Sequence, residues 1–172
     1  MIPQRLEIML KPEIRDPEGE TLKKKAREYL GLKLEEVRTI QVLTFDTTLP
    51  QEQLEAIRNE IFTNPVTQIS SFAPLARDFD WLIWVGFLPG VKDNAGSTAV
   101  EAIESFLEIK LPGEEGVYTS RQYLIKAPRI KKEAVERMAR ELLANDLIQQ
   151  WKVFSKSGGD SALGIGYPPS HH

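Results

Sequence analysis

Cysteine is absent from the 172 residues, which excludes disulfides, thiolate catalysis, zinc ribbons and iron–sulfur ligation together. The only histidines, His171 and His172, are terminal, so catalysis elsewhere in the chain has to run on carboxylates, lysine, tyrosine or hydroxyls. No long hydrophobic run exists. The longest, Trp81 to Leu88, is far short of the roughly 20 residues that cross a bilayer, and the N-terminus lacks the basic and apolar regions of a signal peptide. The expectation is a cytoplasmic protein without a membrane partner. Neither charge sign dominates: 22 basic against 25 acidic residues give −3, with 10 against 12 in residues 1–76 and 12 against 13 in residues 77–172. The lack of a basic half argues against nucleic acid as a partner. What remains, 41% apolar and 27% charged, is the composition of a packed globular chain.

The chain repeats itself. A shift of 77 lays Pro12, Asp16, Gly19, Thr21 and Leu30 on Pro89, Asp93, Gly96, Thr98 and Leu107, five identities where typical frequencies give roughly one by chance. The offset then slips by three, laying Val37 and Thr39 on Val117 and Thr119, and by one more, laying Asn64 on Asn145. Slips of this size belong in loops. The reading is a tandem duplication, with modules over 1–76 and 77–156 and a flexible linker or tail over 157–172, rich in Gly, Ser and Pro.

Each module has the same grammar. A strand (Leu6 to Leu10; Leu82 to Phe87) enters a Pro-containing turn, then a helix with Asp16 or Asp93 as N-cap. Leu22, Ala26, Tyr29 and Leu30, and Val100, Ile103, Phe106 and Leu107, recur at the spacing of one helical face. A β-rich segment (Val37 to Phe45; Val117 to Ile125) is long enough for one bent strand or two short ones, a second helix follows, and Val66 to Phe72 and Leu147 to Phe154 close the modules as strands. The predicted class is α+β: two tandem ferredoxin-like modules forming a pseudo-dimer, with helices packed on one face of an antiparallel sheet.

Residues with chemical capacity are few. Gly90 to Thr98 superficially resembles a phosphate-binding loop, but five residues separate its glycines and Ser97 stands in the lysine position. A strand-to-helix turn with a capping Asp and a close-packed Gly explains both copies better. Asp78 and Asp80 read as a solvated connector, Lys23 to Lys25 as solvated helix surface, and no metal site or cofactor is expected. Trp81 and Trp84, three apart in a strand, point to opposite faces, so one is expected in the core and the other at an interface.

Lys11 to Gly19, Leu30 to Leu32 with Glu36-Val37-Arg38, and Asn64-Pro65-Val66 resemble the PurS family, the small subunit of phosphoribosylformylglycinamidine (FGAM) synthase. Leu88 to Gly96 and Leu142 to Asn145 resemble the PurS-like N-terminal part of the fused large synthetases. Two departures stand out: Ile40-Gln41 replaces the Gly-Lys usual after Val-Arg, and Asn145-Asp146-Leu147 replaces Asn-Pro-Val. The resemblance implies a component of an ATP-dependent C–N ligase of purine biosynthesis that is not catalytic by itself. Such a component self-associates and bridges the synthetase subunit or domain to the glutamine amidotransferase. Pro12, Asp16, Gly19, Asn64, Pro89, Asp93, Gly96 and Asn145 are its structural motif, and Lys11, Arg38, Trp84 and Arg121 are the interface candidates. The alternative is a duplicated regulatory module that binds a small metabolite.

Overall fold

Alternating apolar residues carry β1 (Gln4–Leu10) into a turn, and Asp16 with Pro17 behind it starts α1 (Pro17–Leu30). The chain continues through β2 (Glu36–Asp46), α2 (Gln51–Ile57) and β3 (Gln68–Ser71). The same order then recurs as β4 (Trp81–Phe87), α3 (Asn94–Leu107), β5 (Gly116–Lys126), α4 (Lys132–Met138) and β6 (Gln149–Ser155). This computed structural model describes residues 3–156; the expected linker at 157–172 lies outside them. The β-rich segments are single strands of 11 residues each, not hairpins. Both second helices end in a π-helical turn, Arg58–Phe62 after α2 and Ala139–Leu143 after α4. The closing strands begin later than the sequence suggests, because an Asn-headed turn intervenes. Val66 N–H donates to Asn64 Oδ1 at 2.9 Å and Leu147 N–H to Asn145 Oδ1 at 3.0 Å.

All six strands form one antiparallel sheet in the order β3-β1-β2-β5-β4-β6. Exchanging β1 with β4, β2 with β5 and β3 with β6 reverses this list onto itself. The central pair runs in register from Glu36↔Lys126 to Asp46↔Gly116, with Gln41↔Arg121 at its midpoint. Positions 41 and 121 are also equivalent in the two halves, so this pair lies where an approximate two-fold relation passes through the sheet.

The helices cover one face, and each first helix packs beside the second helix of the other half. One core joins Leu22 and Ala26 of α1 to Val135 and Met138 of α4 above Ile83, Val85 and Ile125. The other joins Leu54 and Ile57 of α2 to Ala99 and Ile103 of α3 above Leu6, Ile8 and Phe45. Each core draws on both halves. Burying one aliphatic side chain contributes roughly 1.5–3 kcal/mol, so each half draws part of its hydrophobic stabilisation on this face from the other.

Connectivity adds a second cover. Because β3 is at one edge and β4 lies beyond β1, β2 and β5, residues 72–80 have to cross the sheet. They do so on the face without helices, where Leu75, Ala76 and Phe79 pack on Ile40, Val42, Leu82, Trp84 and Leu124. Glu7, only 1% exposed, holds this strap: its Oε1 accepts from Leu75 N–H at 2.8 Å and its Oε2 from Arg5 Nη2 at 2.8 Å. At the far end Asp80 N–H donates to the Ile125 carbonyl, and Asp80 Oδ2 accepts from Ala127 N–H. Asp80 therefore anchors the strap instead of simply solvating it.

Candidate functional site

The strand-to-helix turns are built alike in both halves. Asp16 Oδ1 accepts from Gly19 N–H at 3.0 Å, and its Oδ2 accepts from the backbone and hydroxyl of Thr39 at 2.7 and 2.8 Å. Asp93 repeats this with Gly96 N–H at 2.8 Å and with Thr119 N–H and Oγ1. Each carboxylate thus caps a helix and ties it to the long strand beneath. The glycines allow that approach: a Cβ on Gly19 or Gly96 would stand 2.1 Å from the carbonyl oxygen of Val37 or Val117. With the cap position filled by a carboxylate, neither helix start is open to an anion. Pro12 lies in the turn after β1 and Pro89 in the turn after β4.

The interface candidates meet different fates. The Arg38 guanidinium donates to the carbonyls of Ile14, Leu10 and Lys11 at 2.7, 3.1 and 2.9 Å. It fastens the β1–α1 turn with three of its five N–H donors. Lys11 is half-buried beside it, and its N–H donates to the Thr67 carbonyl. Trp84 is the principal correction. It is 2% exposed, lies over Gly86, where an added Cβ would be 2.5 Å from the indole, and is roofed by the strap. No partner protein is needed to bury it. Trp81 faces the helix side, with Nε1–H donating to the Ile130 carbonyl at 3.1 Å, whereas the buried Trp84 Nε1–H has no hydrogen-bond partner among the described residues. Only Arg121 opens onto a cleft, where it forms an ion pair with Glu18 of α1.

That cleft is one of several recesses among the described residues, another of about 490 Å³ lying between Arg15, Lys23 and Lys33. The cleft at Arg121 has a volume of about 410 Å³ and lies between the start of α1 and the π turn after α4, above β5. A smaller recess of about 210 Å³ shares Arg121, Tyr123 and Leu143 with it. Burial raises the Tyr123 phenol above its ordinary value of 10.0; nearby Arg121 opposes this and Asp16 adds to it. Tyr118, on the same strand, is raised by burial and then by Asp46 and Asp93. Both phenols are neutral donors at physiological pH. No group of three or more His, Asp or Glu able to hold a metal is present among the described residues, and none of their helices is long and apolar enough to cross a membrane.

The Asp16-Gly19-Thr39 turn, the half-buried Arg38 clamp and the Asn64 turn lie together in the first half. Residues 4–73 match the PurS family of phosphoribosylformylglycinamidine (FGAM) synthase. No curated protein matches the chain. The PurS-matched stretch runs from the start of β1 to just past β3 and contains Asp16, Gly19, Arg38 and Asn64. It ends as the strap begins. The cleft at Arg121 uses one wall from the PurS-matched half and one from the other half.

Proposed function

We propose that the chain is a non-catalytic assembly subunit or N-terminal domain of FGAM synthase. In this reading two PurS-like modules are joined in tandem to bridge the glutaminase part to the ATP-dependent synthetase part. The match over residues 4–73 carries the reading. The same cap, glycine and threonine turn in the second half supports extending it to both modules. A bridge holds two active sites in register and raises the effective concentration of ammonia passing between them. It needs surfaces and rigidity instead of a nucleophile, which agrees with a chain whose cysteine count is zero and in which Asp16, Asp93 and Arg38 hold turns while Glu7 and Asp80 hold the strap.

The test is reconstitution with separately purified glutaminase and synthetase parts of a cognate FGAM synthase. Adding this chain should raise glutamine-dependent amidine formation and leave ammonia-dependent formation much less affected, because external ammonia bypasses the bridge. On its own the chain should hydrolyse neither glutamine nor ATP. Equal stimulation of both reactions would instead place its action at the synthetase site, and failure to co-elute with either partner would remove the bridging role.

A further inference from the structure

The two halves differ where they should be alike. The cleft at α1 is bordered by Glu18, Lys25, Arg121, Tyr123, Leu142 and Leu143. The equivalences fixed by the matching turns and helices put Ala95, Ala102, Gln41, Leu43, Ile61 and Phe62 at the corresponding places. Leu43, Phe62 and Ala99 belong to one apolar cluster there, and the Phe62 ring lies 5.9 Å from that of Phe45, while Gln41 and Ala95 are exposed and line the smaller recess. One joint between a first helix and the opposite second helix is therefore uncharged at these places, and the other carries an acid and two cations. The uncharged joint forms with two alanines and a glutamine at these places, so folding does not require an acid and two cations at the other. Their presence calls for a different explanation.

The chemistry of the charged joint is that of a receptor for a molecule bearing both charges. A guanidinium presents a planar fork that matches a carboxylate, and a carboxylate opposite it takes an ammonium. Here Arg121 and Glu18 close on one another, with side chains 35% and 55% exposed. Exposed pairs of this kind add little to stability, so a ligand that offers each a new partner gives up little. Leu142 and Leu143 supply an apolar wall, and the volume of about 410 Å³ falls in the roughly 300–1,000 Å³ range of small-molecule sites. Lys25 leaves the lining with one excess positive charge, which calls for a ligand carrying one excess negative charge.

We propose that the cleft between α1 and the end of α4 binds an α-amino acid with an acidic side chain: α-carboxylate on Arg121, ammonium on Glu18, side-chain carboxylate toward Lys25. The site is separate from the assembly role and is tested on the chain alone, so its failure leaves the bridging proposal standing.

The experiment is calorimetric titration of the full chain with L-glutamate, L-aspartate, L-glutamine and glutarate, which lacks the ammonium. Glutamate or aspartate should bind, glutamine more weakly, and glutarate at least about 10-fold more weakly than glutamate, equivalent to about 1.4 kcal/mol. Arg121→Gln and Glu18→Ala install the residues that the other half already carries at these places, so both variants should keep the parental circular dichroism. Arg121→Gln should abolish binding, and Glu18→Ala should erase the preference for glutamate over glutarate. No binding of any amino acid at concentrations on the order of 10 mM, or unchanged affinity in a folded Arg121→Gln variant, would overturn the proposal.

Discussion

Replacing Gly19 by alanine sets two effects of opposite sign against each other. The new methyl carbon would lie 2.1 Å from the Val37 carbonyl oxygen and 2.8 Å from its carbon, and Cβ contacts below 3.0 Å essentially never occur. The obstacle is backbone in the middle of a sheet, so α1 has to retreat by about 0.9 Å, the difference between 2.1 and 3.0 Å. The bonds from Thr39 N–H and Oγ1 to Asp16 Oδ2 start at 2.7 and 2.8 Å. The retreat stretches both to the limit of hydrogen bonding or past it. Bonds to a charged group contribute about 1.5–3 kcal/mol each, giving a loss of about 3–6 kcal/mol. Alanine in a helix recovers up to about 1 kcal/mol. The net expectation is a destabilisation of about 2–5 kcal/mol, a large share of the 5–15 kcal/mol typical of a folded domain. For a chain of this size, about 3 kcal/mol lowers the melting temperature by roughly 6–12 °C. Urea unfolding followed by circular dichroism measures it. Gly96→Ala should behave the same way, its Cβ meeting Val117 O at 2.1 Å. Gly113→Ala, with nothing within 4 Å, should stay within about 0.5 kcal/mol. If the close approach were not real, helix propensity alone would act, and Gly19→Ala would melt at or above the parent temperature. That sign refutes the argument.

Two further outcomes follow from the packing. Residues 3–76 expressed alone should elute as a homodimer or aggregate, because α1 would lose the α4 surface on which it packs and β2 would become an open edge of 11 residues; a stable folded monomer would contradict the shared cores. Raising the pH should destabilise the fold through Tyr118 and Tyr123, whose phenols are raised above 10.0 chiefly by burial. A raised folded-state pKa means the unfolded chain releases these protons first, so their contribution is complete below pH about 10 and is lost as the pH climbs through the folded values. Spectrophotometric titration should show at least two phenols ionising above the ordinary value, and their titration at it would refute the burial argument.

Local chemistry was legible in the sequence. The caps at Asp16 and Asp93 and the close-packed Gly19 and Gly96 depend on residues within a few positions of one another, or on a strand a fixed distance away. A periodicity or an offset therefore revealed them, as it did the repeated order of strands and helices and the α+β class. What the sequence could not carry was partner choice. Leu22 and Ala26 announce an apolar face, but nothing in their spacing says that the face settles on α4 of the other half instead of α2 of its own. Only the closing of one sheet through β2 and β5 decides that. Trp84 was misplaced for the same reason. Strand alternation put the two tryptophans on opposite faces, but the cover over Trp84 comes from residues 72–80, which must cross the sheet because three strands lie between β3 and β4. The cleft at Arg121 is likewise a tertiary result. Its acid and its guanidinium are more than 100 residues apart in sequence, and the approximate two-fold relation that makes their asymmetry visible exists only once the two long strands have paired.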